Sequence, residues 1–347
     1  MYLKKVLWAA ALLGLLICGF MAYQIYSAIF SPNTQFNNDE AFVYVRSDAT
    51  FSEVKTNLAP LLKDLGTFES VAERKGYVNN VKGGKFSIRK GMNNNEIINS
   101  LRSNNIPVKV SFNNQESLTA LAGRISEQIE ADSLSLLQAF NDAEFLSDSK
   151  FDDDSKLGMY IPNTYEFFWN TSAQNFRDRM LKEYQRFWND GRLEKAKNLN
   201  LSPSQVTSLA AIVQKETVKA EERPRVAGVY LNRIKKGILL QADPTVIFAI
   251  KKETGNYDTI IKRVLYRDLE MDSPYNTYKY SGIPPGPITM PDISSVEAVL
   301  NFEKHDYLYF VADVSNFGYH MFAKSLAQHN RNKAQYIRWL NAQKIRR

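Results

Sequence analysis

The chain has 347 residues, of which 44% are hydrophobic, 12% aromatic and 23% charged. This composition excludes a disordered protein, and the length suffices for a short anchor and about two domains. Lys and Arg (44) exceed Asp and Glu (37), and the resulting net charge of +7 is spread thinly. Such an excess suits an anionic neighbourhood such as phospholipid or cell-wall polymer, although solubility alone explains it equally well.

Residues 1–30 contain an uncharged, mostly apolar run of about 25 residues. As a helix it would reach roughly 37 Å, which is enough to cross a bilayer. Lys4 and Lys5 precede it, so the positive-inside rule predicts a cytoplasmic N-terminus and an extracytoplasmic remainder. The alternatives are a cleaved signal peptide and a lipoprotein signal at Cys18. The run continues past any plausible cleavage point, and Ile17 stands where a lipoprotein signal has a small residue, so we predict an uncleaved anchor.

The next two segments are predicted as a linker and a small module. Residues 31–39 are polar, Asn-rich and without an apolar period, which is typical of a linker. Residues 40–106 follow with the predicted order β-α-α-β and one further helix. The strands are expected at 42–45 and 85–88, and the helices at 50–62, 68–74 and 94–102.

Residues 107–347 are predicted to form a larger domain, whose first part, 113–200, is mainly helical. A strand is expected at 108–112 and helices at 117–130, 133–141 and about 173–199. Residues 147–155 carry four Asp and read as a surface loop, because they lack the spaced Gly and terminal Glu of a calcium loop. The aromatic segment 159–169 is explained either by core packing or by a wall on which sugars stack.

A helix beginning after Ser202 has a well-determined start. Ser202 and Gln205 form a capping box. Counting at about 100° per residue places Glu216 on the apolar face, between Ile212 and Leu209. A carboxyl group held against aliphatic side chains has its charged form disfavoured, so its pKa rises and it can stay protonated near neutral pH. A structural ion pair is an equally physical explanation for an acidic residue there.

The following segments supply candidate binding groups. Asp243 precedes Pro244 and would cap a further short helix, which is a sufficient structural reason for it. Residues 272–288 contain too many Pro and Gly residues for a helix or a central strand. Long loops rich in Tyr, Asn and Thr often bind ligands, with rings for sugar faces and amides for N-acetyl and hydroxyl groups.

Several classes of site are excluded by composition and motif. The chain has three His residues and a single Cys, which lies in the predicted membrane span. No spacing resembles a metal site, so we expect neither a metal nor a cofactor. There is no G-x-S-x-G elbow and no phosphate-binding Gly loop. Of the classes of site considered, acid–base catalysis by carboxyl groups is the one that remains.

Six segments and three later residues carry a resemblance to a known family. They read IVQKET (212–217), ERPRVAGVYLNR (222–233), LQADPTV (240–246), SPYNTY (273–278), GIPPGPI (282–288) and YLYFVA (307–312), followed by His320 and the pair His329 and Asn330. In order and spacing they resemble the MltG (YceG-like) endolytic murein transglycosylases. The resemblance implies an α+β protein with one N-terminal transmembrane helix, a LysM-like β-α-α-β module and a mixed α/β YceG-like catalytic domain whose core is 201–347.

The resemblance also implies an activity. Members of this family cleave the MurNAc-β-1,4-GlcNAc bond of nascent peptidoglycan without water, leave 1,6-anhydro ends and so terminate strand elongation. The motif identifies Glu216 as acid and then base. The residues expected to bind substrate are Gln241, Asp243, Tyr275, Asn276, Tyr278, His320 and Asn330, and for the last three a supporting role is an equal alternative. The implied partners are glycan strands, the membrane and peptidoglycan synthases, with no nucleic acid, and the implied location is the bacterial cell (inner) membrane.

The sequence departs from the family pattern at three places. Gln214 stands where a first Glu is common, Ala242 where Ser or Thr is common, and residues 291–292 read Pro-Asp in place of Pro-Gly. Glu216 is therefore the only carboxylate within its motif.

Two other functions stay open at this point. One is a hydrolase that uses Glu216 with Asp243 or Asp272 and leaves reducing ends. The other is a non-catalytic wall-binding or assembly protein, in which Glu216 is a buried ion pair.

Overall fold

The computed structural model describes residues 2–342, in two compact units. The first unit contains the chain as far as Val110, together with Glu127–Ala131 and Tyr165–Ser172. The second unit contains Ser111–Ser126, Asp132–Thr164 and the chain from Ala173 onward. Helices and short strands occur together, as expected for a mixed α and β protein.

The first unit begins with a long apolar helix. Its elements are α1 (Tyr2–Phe30), β1 (Glu40–Val45), α2 (Phe51–Leu58), α3 (Leu65–Arg74), β2 (Gly84–Arg89) and α4 (Asn94–Ser103), and β3 (Pro107–Phe112) follows. The 29 residues of α1 are long and apolar enough to cross a membrane. The strand, two helices and strand predicted after it are present, while the likeness of this region to LysM stays a prediction.

The module has its own core between the β-pair and the helices. β1 and β2 are antiparallel, with Val43 opposite Phe86. Thr50 and Glu53 form the expected capping box of α2. This helix ends at Leu58 and not at residue 62. Pro60 follows shortly after and has no amide N–H with which to continue the helical hydrogen bonds. The inward residues form one hydrophobic cluster, which includes Val45, Leu58, Phe68, Tyr77, Ile88 and Ile98.

Part of the predicted linker is packed. Asn33 and Thr34 are buried. The Asn33 side chain donates to the carbonyl of Asp64 at 2.8 Å and to Oδ1 of Asn94 at 2.7 Å. Short polar side chains can satisfy backbone groups in this way, so an Asn-rich composition alone did not distinguish a free tether from an ordered connection.

The second unit is mostly helical. Its elements are α5 (Leu118–Ser126), α6 (Ser133–Phe140), α7 (Ala143–Ser149), β4 (Asn163–Phe168, which continues into the first unit), α8 (Ala173–Phe187), α9 (Asp190–Asn198), α10 (Pro203–Glu216), α11 (Arg223–Lys235), α12 (Asp243–Thr254), α13 (Ile293–Leu300), β5 (Tyr309–Ala312), β6 (His320–Ala323) and α14 (Leu326–Ala342). The single helix predicted over 173–199 is two helices. Asn189 starts the second by accepting a hydrogen bond from the Arg192 amide at 3.1 Å.

The core of this unit surrounds α10. Val206, Leu209, Ile212 and Val213 are fully buried there. α11, α12 and α13 all contact this helix. Tyr160, within the aromatic segment 159–169, packs on Phe140 with ring centroids 4.8 Å apart, so core packing explains this ring. The central position of α10 determines where its last residue, Glu216, is presented.

Candidate active site

Glu216 is the last residue of α10, at the edge of the buried core. The predicted capping box is present: the Ser202 amide donates to Gln205 at 2.9 Å, and the Gln205 amide donates to Ser202 at 3.2 Å. The half-buried carboxyl group of Glu216 faces a cleft of about 410 Å³. The cleft is lined by Glu216, Tyr230, Arg233, Gln241, Asp243, Tyr278, Tyr309, Phe310, Leu326, His329 and Lys333.

Tyr230 on α11 holds this carboxyl group. Its hydroxyl donates to Oε1 of Glu216 at 2.7 Å, and its side chain is only 1% exposed. The ring meets Phe310 edge to face, with centroids 5.9 Å apart. Within residues 2–342, Glu216 therefore pairs with a neutral hydroxyl and forms no ion pair.

Burial is the main influence on the acidity of Glu216. Loss of contact with water raises the pKa of Glu216 to about 7, and the negative charge of Asp243 acts in the same direction. The Tyr230 hydrogen bond and the positive charge of Arg233 partly oppose this rise in pKa. The group can thus occupy both protonation states near neutral pH.

Arg233 is only 7% exposed, and it holds one wall of the cleft together through hydrogen bonds. Its guanidinium donates to the carbonyl of Leu240 at 3.0 Å and to Oε1 of Gln241 at 2.8 Å. The backbone of Gln241 has φ of +52°, a left-handed conformation that is uncommon for a residue other than Gly. Its amide donates to the Thr277 carbonyl at 3.0 Å. These bonds hold a strained residue at the cleft surface.

Tyr230 and Arg233 were not among the predicted site residues. Their spacing in the sequence could have indicated that they act together, because residues three apart lie on the same side of a helix. A Tyr and an Arg on a core-facing side need buried partners, and those partners are at the site.

Asp243 does not cap α12, contrary to the sequence prediction. Ala242 occupies the N-cap position without a side-chain bond, and Asp243 is the first helical residue. Thr277 Oγ1 accepts from the Ala242 amide at 3.0 Å, so the start of α12 is supported from the neighbouring loop. The exposed Asp243 carboxylate instead accepts a hydrogen bond from the Tyr278 hydroxyl. Burial, followed by this bond, raises the pKa of Tyr278.

Tyr275 and Asn276 lie outside the cleft. The hydroxyl of Tyr275 donates to Oδ1 of Asp154 at 3.1 Å, and its ring packs on Phe248 at 4.8 Å. Asn276 is 0% exposed, and its amide donates to the carbonyls of Leu269 and Met271, each at 2.8 Å. Their polar atoms are therefore used to shape the loop.

His320 lies behind the cleft wall. Its Nδ1 is 2.8 Å from Oε2 of the buried Glu222, and its backbone amide donates to Oε1 of Glu222 at 2.8 Å. Its ring contacts Phe310 at 5.1 Å. Asn330 is exposed on α14 and is not among the lining residues.

The neighbour of Asn330, His329, does line the cleft. Its ring stacks on Tyr309 at 5.3 Å. Burial, followed by the charges of Lys333 and Arg233, lowers the pKa of His329. On the α14 side of the cleft the cation is therefore Lys333, because a lowered pKa keeps His329 neutral near pH 7.

Gln214 has a structural role at a helix start. Its Oε1 accepts from the Asp292 amide at 2.6 Å and from the Ser295 hydroxyl at 3.0 Å, at the beginning of α13. Asn114 fastens the same loop by donating to the carbonyl of Met290 at 2.9 Å. Across residues 2–342, no three His, Cys, Asp or Glu side chains are grouped so as to hold a metal ion.

Comparison with known proteins gives consistent matches. The model of the YceG-like family matches residues 43–335. An endolytic murein transglycosylase of Bacillus subtilis (strain 168) is 32% identical over 294 residues, covering 80% of this chain and 79% of that protein. A protein of the same name from Streptococcus pneumoniae is 26% identical over 354 residues, covering 92% of this chain and 62% of that protein.

A solved structure is also similar. The crystal structure of a YceG-like protein from Listeria monocytogenes matches with a TM-score of 0.57 and 27% identity, covering 85% of this chain and 99% of that one.

Proposed function

The chain belongs to the YceG-like family, and from this premise we propose that it is a membrane-anchored endolytic lytic transglycosylase that cuts the glycan strands of peptidoglycan. The observation that carries the proposal is the cleft at the end of α10. It presents one carboxyl group, Glu216, whose pKa is raised to about 7 by burial. A group of this kind can both give and take a proton near neutral pH.

The proposed reaction uses Glu216 twice. Protonated Glu216 gives its proton to the glycosidic oxygen between MurNAc and GlcNAc, and the bond from this oxygen to C1 of MurNAc breaks. The Glu216 carboxylate then takes the proton of the MurNAc 6-hydroxyl as that oxygen bonds to C1. The products are a free GlcNAc 4-hydroxyl and a 1,6-anhydro-MurNAc end. No water is consumed, and Glu216 is protonated again at the end.

Tyr230 and Arg233 are proposed to position and tune this acid. The Tyr230 hydroxyl fixes one carboxyl oxygen, which would leave the other oxygen for the substrate. Arg233 lowers the pKa of Glu216 against the larger effect of burial, which keeps the carboxylate form accessible for the second proton transfer. An acid–base group works best with a pKa near the working pH.

Three predicted substrate-binding residues keep that role in the proposal. Gln241, Asp243 and Tyr278 line the cleft with Glu216. Their amide, carboxylate and hydroxyl groups suit the N-acetyl and hydroxyl groups of a glycan. For the other four predicted residues, Tyr275, Asn276, His320 and Asn330, position and internal bonds favour a supporting role.

We also propose that α1 is a single membrane span. Lys4 and Lys5 favour a cytoplasmic N-terminus, which would place the cleft on the extracytoplasmic side, where peptidoglycan lies. Peptidoglycan synthases are then natural neighbours, and an anhydro end would stop the growth of a strand. Reporter fusions at the C-terminus, active only outside the cytoplasm, test this orientation, and activity only inside would reject it.

Product chemistry tests the enzymatic proposal. The full-length protein in detergent is incubated with purified peptidoglycan, and the released muropeptides are analysed by mass spectrometry. We expect 1,6-anhydro ends from the wild type and from E253Q, a control at an exposed Glu of α12. E216Q should lose at least about 10²- to 10⁴-fold in rate, because general acid–base catalysis contributes that much.

The same experiment separates the alternatives. Reducing ends, heavier by one water, would replace the proposal by a two-carboxylate hydrolase, with Asp243 as the second carboxylate in the cleft. Asp272 is less suited to that role, because it is exposed, bonds to Tyr280 and does not line the cleft. Strand binding without cleavage would indicate a non-catalytic wall-binding protein.

A further inference from the structure

α1 is longer than a bilayer crossing requires. Its 29 residues span roughly 43 Å at about 1.5 Å per residue, whereas the hydrocarbon core is about 30 Å thick. A crossing that begins after Lys5 therefore ends near Gln24, the next strongly polar side chain. Tyr23 and Tyr26 flank this level, as interfacial aromatic residues do. The last two turns of α1 thus lie at the height of the lipid headgroups.

These two turns are docked on the module of the first unit. α1 contacts α3 and α4, and the Asn94 side chain donates to the carbonyl of Ala28 at 2.8 Å. A groove of about 540 Å³ lies beside this contact. Gln24, Ile25 and Ser27 line it on the α1 side, and Thr67, Ser70 and Arg74 line it on the α3 side. The groove is therefore also at headgroup height.

The charged side chains of the groove favour an anion. Lys63 and Arg74 both line it and are exposed, and neither side chain has an ion-pair or hydrogen-bond partner within residues 2–342. The only acidic lining residue, Asp64, turns its carboxylate to the start of α3, where the amides of Gly66 and Thr67 donate to it at 2.9 and 3.0 Å. Two free cations thus remain for a ligand.

The two cations can approach one ligand from opposite ends. Lys63 precedes α3 and Arg74 is its last residue, so they lie roughly 15 Å apart along the helix axis at about 1.5 Å per residue. Both side chains are long, and the Ser70 hydroxyl stands between them along α3 with no bonded partner among the described residues. A headgroup phosphate with its glycerol moiety fits this arrangement of donors.

We propose that this groove binds the headgroup of an anionic phospholipid, with its acyl chains along the apolar surface of α1. The proposal rests on α1 spanning a membrane and is independent of the chemistry at Glu216. A membrane lipid is favoured over a soluble anion because the groove continues onto the exposed apolar side chains of α1, which hold acyl chains at the same height. A seated headgroup would fix the module of the first unit at the membrane surface.

Native mass spectrometry of the full-length protein tests the proposal. The protein is released from micelles that contain equal amounts of phosphatidylglycerol and phosphatidylcholine. We expect the wild type to retain one molecule of phosphatidylglycerol in preference to phosphatidylcholine. The K63Q/R74Q variant should bind phosphatidylglycerol roughly 30-fold more weakly, because each of the two interfacial cations raises the affinity about fivefold.

Two further variants separate a groove from general surface charge. K82Q/R89Q removes two exposed cations of the same module that do not line the groove, and it should bind phosphatidylglycerol as the wild type does. S70W keeps both groove cations but fills the space between them, and it should lose the lipid. Retention of the lipid by S70W, or equal loss in K82Q/R89Q, would overturn the proposal.

Two outcomes for the wild type would also overturn it. One is equal retention of the anionic and zwitterionic lipids. The other is displacement of phosphatidylglycerol by millimolar inorganic phosphate, which would indicate a site for a small anion. Thermal unfolding of each variant, followed by circular dichroism, confirms that the compared proteins are folded.

Discussion

The cleft around Glu216 and the loop core at residues 275–277 are both rich in polar side chains, and they use them differently. In the loop core, Asn276 is fully buried and its amide bonds to two carbonyls of the same loop. In the cleft, the carboxyl of Glu216 bonds to one hydroxyl and otherwise faces open space. Nε of Arg233 is buried without a partner within residues 2–342.

This difference shows how a supporting region and a chemical one can be told apart. Buried polar groups that satisfy one another stabilise a conformation and have no capacity left for a ligand. A buried group with an open side has its pKa shifted and keeps that capacity. Both regions look alike in sequence, so the test is whether their residues affect activity or stability.

The largest expected effect is at Glu216. In E216Q, activity should fall by at least about 10²- to 10⁴-fold while the protein remains folded. The pH dependence of stability should also differ from that of a carboxylate in an ion pair, whose pKa is lowered and whose contribution to stability is lost at acid pH. The folded pKa of Glu216 (about 7) lies above its ordinary value, so its stabilising contribution is complete at acid pH and is lost as the pH rises through 7.

Urea unfolding at pH 5 and pH 8 measures this contribution. The wild type should lose on the order of 2 kcal/mol of unfolding free energy from Glu216 over this interval, and E216Q should lack that loss. Equal pH dependence in the two proteins would mean that Glu216 is not held in a dry environment.

The next effect is at the loop core. Asn276→Ala removes a fully buried amide that donates to the carbonyls of two half-buried residues, which should cost about 2 to 3 kcal/mol of unfolding free energy. The activity of the folded fraction should stay within about threefold of wild type, because Asn276 does not line the cleft. Asn330→Ala on exposed α14 is the matched control and should change stability by less than about 0.5 kcal/mol. A loss of activity in N276A without a loss of stability would abolish the distinction between the two regions.

A smaller effect is expected at Tyr230. Tyr230→Phe removes the hydrogen bond that lowers the pKa of Glu216, so this pKa should rise by roughly one unit. Because the first step needs protonated Glu216, the alkaline limb of kcat/KM, expected near pH 7, should move upward in pH. Tyr280→Phe, exposed and outside the cleft, should leave the profile in place. An unmoved limb in Y230F would assign the titration to another group.

The smallest effect is expected at Arg233. Arg233→Lys keeps the charge but cannot hold the Leu240 carbonyl and the Gln241 amide together, because a lysine lacks the planar fork of arginine. We expect a rise in KM of about 5- to 10-fold for glycan strands with a smaller change in kcat. Steady-state digestion of solubilised strands measures both constants, and a fall in kcat at constant KM would instead place Arg233 in the chemical step.

Local patterns predicted much of the framework. The capping box at Ser202 and the apolar stripe after it predicted α10 and the place of Glu216 on this helix. Patterns failed at two helix starts, where a side chain other than the predicted one, or one that was not considered, makes the supporting bond. Asn189 divided a continuous amphipathic pattern into α8 and α9, and the Thr277 hydroxyl replaced Asp243 as the support for the start of α12. In each case a polar side chain made a bond that hydrophobic periodicity does not record.

The sequence by itself determined most of the elements and the place of Glu216 on α10, because capping, apolar periodicity and span length act between residues close in the chain. Only the tertiary structure decided which polar groups meet. The bond from Tyr230 to Glu216 depends on how α11 packs on α10, and the bonds from Arg233 to residues 240–241 depend on the loop that follows α11. Likewise, Tyr275 and Tyr278 stand three residues apart in one loop, yet only Tyr278 reaches the cleft. Side-chain direction in an irregular loop is set by what the loop packs against, and no periodic pattern encodes it.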